Sequence, residues 1–176
     1  MFVPETWSTL DEFVAWYKYN NYPIRVPQNA RIVPTDVSFS CCIFRQGLFQ
    51  VELYLAKGNF KSTRHSHPFE QKIIYLGGHL SGKRGQGSHD FGPAQELGSP
   101  ILPSSSDEKP NHHAGLIGLS LLTGQWHEIE GKEQGFIFLN CQKWPNKEMM
   151  SSAVIEYDGE SLGAIHDQVI RSKNPE

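Results

Sequence analysis

The chain has 176 residues, a formal net charge of −3 and 38% hydrophobic residues. This length suits one domain, and the hydrophobic content, with 10 Phe, 6 Tyr and 4 Trp, excludes wholesale disorder. The mean hydropathy of −0.44 and the lack of a long apolar run argue against a membrane span, and the lack of a basic stretch argues against nucleic-acid binding. The amino terminus shows no secretory signal, and three cysteines without CxxC spacing favour reduced thiols, so we expect a cytoplasmic protein.

The first predicted element is a helix over residues 8–20. Thr9 and Glu12 have the spacing of a capping box, and four apolar residues then fall on one helical face: Leu10, Phe13, Val14 and Tyr17. Pro23 and Pro27 end any helix that reaches them. We therefore predict that residues 1–36 form a helix and an irregular arm that pack on the main body.

From about residue 37 the hydrophobic pattern has a period of two, which indicates strands. Residues 49–56 alternate most clearly and predict a half-buried strand. Strands are expected near residues 38–44, 49–56, 71–76, 117–122, 135–142 and 153–157. Glycine-containing turns separate most of them, including one predicted at 131–134. This pattern favours a mainly-β antiparallel sandwich or barrel over residues 37–158.

Three segments stand outside this pattern. Residues 85–114 are rich in Pro, Gly and Ser and predict a long insertion, either a functional flap or a mobile loop. Residues 159–176 predict a tail with a C-terminal helix over 160–172. Residues 77–83 imitate a phosphate-binding GxxxxGK loop, but Arg84 follows where that loop needs Ser or Thr. We predict a hairpin turn there, with Lys83 and Arg84 in solvent.

The chemistry is concentrated around two of the eight histidines. On an extended chain His65 and His67 point to the same face, so two imidazoles can converge on one cation. A turn at 68–69 follows, and Gln71 then opens a new strand and offers a carboxamide oxygen. Glu70 is the rival for this third place, although a shift of one residue sends a strand side chain to the opposite face. We favour Gln71.

A further ligand is expected from a strand that lies beside this unit in space. His127 follows a turn at Gly124 and leads into an alternating segment, which makes it the candidate. Imidazoles together with a carboxamide or carboxylate suit one divalent transition metal: Fe(II), Mn(II), Ni(II), Zn(II) or Co(II).

At these residues the sequence resembles the cupin superfamily. Its first motif is a glycine, five residues, HxH, three or four residues, Glu or sometimes Gln, six residues and a glycine. His65, His67, Gln71 and Gly78 fit that spacing, and the leading glycine lies one place early, at Gly58. The second motif, PxG followed by His and later Asn, is matched at Gly124 and His127, with Leu122 in the place of Pro and Gly131 in the place of Asn.

The resemblance covers about residues 58–131 and implies a single jelly-roll barrel, or double-stranded β-helix. It also implies a metal inside the barrel, held by His65, His67, Gln71 and His127. It explains neither the flanking helices nor the 85–114 insertion.

These observations lead to two hypotheses of different classes. The first is a metal-dependent cupin enzyme, isomerase-like on a sugar or sugar acid or dioxygenase-like, with the cation as Lewis acid. Tyr75, expected on the same face as Gln71, is then the candidate catalytic residue, a polar group near the small-molecule substrate. The second is a non-catalytic jelly-roll protein for ligand binding or structural assembly, because fold does not settle function. Under either hypothesis the N-terminal arm offers a homodimer contact.

Overall fold

The computed structural model describes residues 4–28, 30, 32–86, 95–98, 117–152, 156–157 and 160–161. In chain order the elements are α1 (Leu10–Tyr19), β1 (Ile32–Pro34), β2 (Ser38–Gln46), β3 (Phe49–Ala56), β4 (His65–Ser66), β5 (Glu70–Gly85), β6 (Gln95–Gly98), β7 (Ile117–Leu121), β8 (Trp126–Lys143), α2 (Lys147–Ser152), β9 (Glu156–Tyr157) and β10 (Glu160–Ser161). The ten strands pair antiparallel in one sheet that does not close on itself. The predicted mainly-β fold is confirmed.

The two long strands β5 and β8 run beside each other from Glu70↔Lys143 to Gly85↔Trp126. The first half of β5 also pairs with β7, and its second half with β6. The last half of β8 also pairs with β3, while its first half pairs with β4. Register shifts at residues 75–80 of β5 interrupt this ladder. Because such bulges bend a strand, each of the two long strands can contribute to two parts of the sheet.

Two glycines make this bend possible. Gly78 has a φ of +87° and Gly135 a φ of +65°, in the left-handed region that favours glycine. A Cβ on Gly78 would lie 2.2 Å from the carbonyl oxygen of Gly135, so the two backbones leave no room for a side chain. The glycine that ends the first motif therefore marks a close contact between the two long strands.

The sheet has apolar residues on both of its faces. One face packs against α1 through a cluster of buried residues: Trp7, Leu10, Phe13, Val14, Tyr17, Phe44, Phe49, Val51, Ile74, Leu139 and Cys141. The opposite face, called the interior face below, carries a second cluster: Ile73, Tyr75, Leu80, Leu119, Leu121, Ile129, Phe136 and Phe138. Aromatic residues are therefore buried on both faces of the sheet.

The predicted N-terminal helix is confirmed as α1. The hydroxyl of Thr9 accepts a hydrogen bond from the amide of Glu12 at 3.1 Å, and the amide of Ser8 donates to the Glu12 carboxylate at 2.8 Å. All four residues of the predicted apolar face are buried. The capping residues and the apolar face indicate the same helix, so the local sequence was sufficient to predict α1.

Three predictions of local structure were wrong, two because the residues pair within long strands and one because the polar side of a strand is covered. The turn expected at 131–134 lies within β8, and the hairpin turn expected at 77–84 lies within β5. Lys83 is ion-paired with the buried Glu128, at 3.5 Å between Nζ and Oε1. The strand at 49–56 is not half-buried, because its polar side faces the interior and Gln50 is only 3% exposed.

The carboxyl-terminal part is described only in short pieces. Residues 160–161 form β10 rather than the start of the predicted helix, while 162–172 lie outside the described residues. Most of the 85–114 insertion also lies outside them, apart from 85–86 and β6. α2 had no counterpart among the predicted elements. Neither helix in the described part of the chain has the length and apolar character needed to cross a bilayer.

The bend at Gly78 leads to a testable prediction. Gly78→Ala adds a methyl group against the Gly135 carbonyl in addition to the left-handed strain, so we expect a loss of more than about 3 kcal/mol in the free energy of unfolding. Gly124→Ala is the matched control: Gly124 has a φ of +72°, but an added methyl group would meet nothing within 4 Å, so it should lose about 1–2 kcal/mol. Urea unfolding measures both, and equal losses would contradict the close contact.

Candidate metal centre

Three histidines converge in the fold: His65 in β4, His67 directly after it and His127 in β8. One ring nitrogen of each lies within 4.8 Å of the others. The ring centroids are 4.8 Å apart for His65 and His67, 4.2 Å for His65 and His127, and 4.8 Å for His67 and His127. This is a grouping that could hold a metal ion.

Backbone pairing explains why His127 meets the other two. His65 and His127 are direct register partners across β4 and β8. The pairing continues before β4, where the Ser62 amide donates to the Ile129 carbonyl at 2.9 Å and the Ile129 amide donates to the Ser62 hydroxyl at 2.8 Å. The left-handed Gly124 closes the turn before β8, and its amide donates to the His67 carbonyl at 2.8 Å.

Hydrogen bonds orient two of the three rings. Nδ1 of His65 lies 2.8 Å from the carbonyl oxygen of Thr63, and Nδ1 of His127 lies 3.0 Å from the carbonyl oxygen of Gln125. A carbonyl oxygen only accepts, so each Nδ1 carries the proton and each neutral ring keeps its lone pair on Nε2. Histidines that bind metals in proteins are held in this way.

The third ring, His67, is held by packing. It stacks on Phe69, with centroids 4.6 Å apart and an angle of 16° between the planes. Its Nδ1 is buried without a hydrogen-bond partner in the described part of the chain. A buried nitrogen without a partner is suited to bind a cation.

The electrostatics of the cluster favour neutral rings. Burial, together with the neighbouring His127 and His65, lowers the pKa of His67 well below its ordinary value of 6.5. Burial, with His65 beside it, lowers the pKa of His127 to about 3, against a smaller opposing effect of the Gln125 carbonyl. Neutral imidazole is the form that binds a metal ion, so no proton has to be displaced at neutral pH.

Gln71 lies at the start of β5, just beyond the turn that follows His67. Its side chain is 3% exposed, and its Oε1 is buried without a hydrogen-bond partner among the described residues. Strand alternation places Gln71 on the interior face with Ile73, and Glu70 on the opposite face. The carboxamide oxygen of Gln71 is therefore a buried acceptor on the interior face, whereas Glu70 is not on that face.

Tyr75 lies on the same interior face, four residues beyond Gln71 along β5, as the sequence predicted. Its ring is buried and its hydroxyl donates a hydrogen bond to the Gly78 carbonyl. This hydrogen bond holds the hydroxyl group against the backbone of β5.

A second polar group on the interior face was not predicted from the sequence. The Glu52 carboxylate accepts from Gln50 Nε2 and from Gln142 Nε2, each at 2.9 Å, and Asn140 is the register partner of Glu52. Burial raises the pKa of Glu52 against the opposing effects of Gln142, Arg45 and Gln50. One signal was available: polar residues recur at every second position of β3 and at the end of β8.

Comparison with known proteins finds likeness in structure only. No protein-family model matches the chain, and no curated protein matches its sequence. The structure is similar to the oxalate decarboxylase of Lactobacillus farciminis in complex with formate, at 12% identity and a TM-score of 0.53, over 73% of this chain and 34% of that one. A variant of Bacillus subtilis oxalate decarboxylase is similar at 10% identity and a TM-score of 0.53, over 73% and 30%.

An RmlC-like cupin of Shewanella frigidimarina matches at 9% identity and a TM-score of 0.49, over 72% of this chain and 94% of that one. The present chain spans about a third of the length of the oxalate decarboxylase chains it resembles. At this level of identity the likeness concerns the fold alone.

The buried His127 predicts how the stability of the metal-free protein depends on pH. Below the ordinary pKa of 6.5 the unfolded chain protonates His127 and the folded chain does not, until pH approaches about 3. The unfolded state therefore binds more protons across this range, and stability falls as pH falls, approaching about 1.4 kcal/mol per pH unit for this residue. Urea unfolding in a chelator at pH 7.5, 6.5 and 5.5 measures the slope. His127→Gln should have a smaller slope, and equal slopes would refute the assignment.

Proposed function

We propose that this chain, which has the cupin fold, is a metal-dependent enzyme acting on a small polar molecule. The observation that carries the proposal is the convergence of His65, His67 and His127, with the Nδ1 atoms of two rings bound to backbone carbonyls. A ring whose Nδ1 donates to a backbone carbonyl would offer Nε2 to a metal ion. Such rings suit a divalent transition metal: Fe, Mn, Ni, Zn or Co.

The ligand set we propose is His65, His67, His127 and Gln71. The three imidazoles supply nitrogen, and Gln71 supplies the buried oxygen that has no other donor among the described residues. All four are neutral, so none of them offsets the positive charge of a divalent ion. Four protein ligands leave room for a substrate in the coordination of an ion that takes five or six.

When bound, the metal would act as a Lewis acid that polarises a carbonyl or enediol oxygen of the substrate. The protein's own residues have three tasks there. The three histidines hold the ion, the Thr63 and Gln125 carbonyls keep two of the rings oriented, and Tyr75 places its hydroxyl group near the substrate on the interior face.

The neutral Gln71 favours one of the two reaction types. A full positive charge on the metal strengthens its action on a carbonyl group, so we propose isomerisation of a sugar or sugar acid, or a related non-redox reaction, rather than a dioxygenase-like one. Oxalate decarboxylases share only the fold with this chain, so their named reaction is not carried over. Homodimer formation and a cytoplasmic location stay predictions.

Metal binding tests the proposal directly. Purified protein should bind about one divalent ion per chain, and His65→Ala should lose this binding, because removing one of three converging imidazoles leaves an incomplete site. His79→Gln is the control: His79 lies in β5, outside the cluster, and should keep the full stoichiometry. Elemental analysis after dialysis, with titration of Mn(II) and Zn(II) into metal-free protein, measures both variants.

Turnover is then assayed with aldoses and uronic acids before and after chelation. Loss of activity on chelation and its return with metal would support the enzyme. Wild-type protein that binds no ion, or that keeps its activity in chelator, would contradict the proposed metal-dependent enzyme. Protein that binds metal and ligand without turnover would favour the non-catalytic alternative.

The choice between Gln71 and Glu70 has its own test. Gln71→Leu removes the buried oxygen at nearly constant volume, so metal affinity should fall about tenfold or more while the metal-free protein is at least as stable as wild type. Glu70→Gln is the matched control on the opposite face and should leave metal affinity unchanged. Titration calorimetry with Mn(II) measures the affinities. Loss of affinity in Glu70→Gln with wild-type affinity in Gln71→Leu would reverse the assignment.

A further inference from the structure

Glu52 and Asn140 lie opposite each other on the interior face, and we call them the acceptor pair. They are direct register partners across β3 and β8. Residues directly opposite in an antiparallel pair have Cβ atoms about 4.5–5.5 Å apart, so the two side chains occupy one site. The neighbouring residues on the same face are Tyr54 and Phe138, whose rings stack at 5.1 Å. The pair is therefore a polar position beside an apolar, aromatic wall.

The hydrogen-bond inventory shows that this site offers acceptors. Each oxygen of the Glu52 carboxylate accepts one amide hydrogen bond, one from Gln50 and one from Gln142, and each has the capacity for a second. Oδ1 of Asn140 is buried without a partner in the described part of the chain.

The neighbouring donors are already engaged. Arg45 donates to Gln50 Oε1 at 2.8 Å, and Trp144 Nε1 donates to Gln142 Oε1 at 2.9 Å. Gln50 and Gln142 direct their amide groups at Glu52. The network holds the carboxylate in one orientation, and the described residues leave acceptor capacity on both members of the pair.

Acceptors of this kind select ligands that bring donors. At these acceptor oxygens a carboxylate, phosphate or carbonyl group has only lone pairs to offer, whereas a hydroxyl group brings a hydrogen. Two acceptors side by side match two neighbouring hydroxyl groups, and a buried acceptor left without a donor discriminates against ligands that lack one.

The register of β5 and β8 shows where the acceptor pair lies relative to Gln71 on the interior face. Asn140 is the register partner of Ile73, and Gln142, two residues further along β8, is the partner of Gln71. Asn140 and Gln71 are thus on adjacent rows of the same face. A ligand that runs from the pair along this face therefore reaches the row of Gln71 next.

We propose that the acceptor pair binds neighbouring hydroxyl groups of a polyhydroxylated small molecule, a sugar acid or polyol. The proposal rests on the proposed function only for the other end of the ligand, where a carboxylate or carbonyl oxygen meets the metal. The hydroxyl site itself belongs to Asn140 and Glu52 and is testable without metal.

Two matched C6 carboxylates test the hydroxyl site in Mn(II)-loaded protein. Gluconate carries five hydroxyl groups and hexanoate none, so wild-type protein should bind gluconate about tenfold or more tightly than hexanoate. Asn140→Leu and Glu52→Gln should reduce this ratio to about threefold or less, with the Mn(II) stoichiometry unchanged. Glu133→Gln, at an exposed position, should keep the wild-type ratio. Titration calorimetry measures all four proteins.

Sorbitol, which has hydroxyl groups and no carboxylate, serves as the probe for metal-free protein. Wild type should bind it at least threefold more tightly than Asn140→Leu. The variant should also unfold at the same or a higher urea concentration, because it removes a buried acceptor that no described residue satisfies. If Asn140 had a merely structural role, Asn140→Leu would instead unfold at a lower urea concentration and leave sorbitol binding unchanged.

The outcomes separate the two proposals. If Mn(II) does not bind but sorbitol binding depends on Asn140, the metal proposal fails and the hydroxyl site stands. If Mn(II) binds and the preference for gluconate is absent, or survives in Asn140→Leu, the hydroxyl site is overturned and the metal centre stands.

Discussion

The pairing of β5 with β8 is the constraint on which the rest of the structure depends. It joins residues 70–85 to residues 126–143, and the contact of Gly78 with Gly135 lets both strands bend without breaking the pairing. One end of the ladder carries Gln71 and the other carries His127. Because each strand contributes to two parts of the sheet, residues far apart along β8 come to line one interior. The pairing of β4 with the first half of β8 then brings His65 opposite His127.

The histidine cluster illustrates how a fold can hold imidazoles in the form that a metal ion would bind. Burial disfavours the imidazolium form, and the backbone carbonyls of Thr63 and Gln125 select the tautomer with the lone pair on Nε2. Neutral, oriented rings offer nitrogen lone pairs to an ion without first losing a proton. The cost of this arrangement is sensitivity to acid, since protons bind the unfolded chain in preference to the folded one.

Some of this could be predicted from the sequence, and the reasons are local. His65 and His67 share a face because alternate strand residues do, and α1 begins directly after Thr9 because the Thr9 hydroxyl caps the helix. The turns expected at 77–84 and 131–134 were wrong because glycine within a bent strand leaves the same signal as glycine in a turn. Gln50 and Glu52 were expected on a solvated face, since alternation distinguishes the two sides of a strand and not which of them is covered.

By itself, the sequence determined the period of the strands, the apolar face of α1, the shared face of His65 and His67, and the offset that separates Gln71 from Glu70. All of these follow from chain geometry over a few residues. Only the tertiary structure decided that His127 lies opposite His65 and that Asn140 lies opposite Glu52. Those pairings join residues more than sixty positions apart, and their register depends on the packing of the whole sheet rather than on any local pattern.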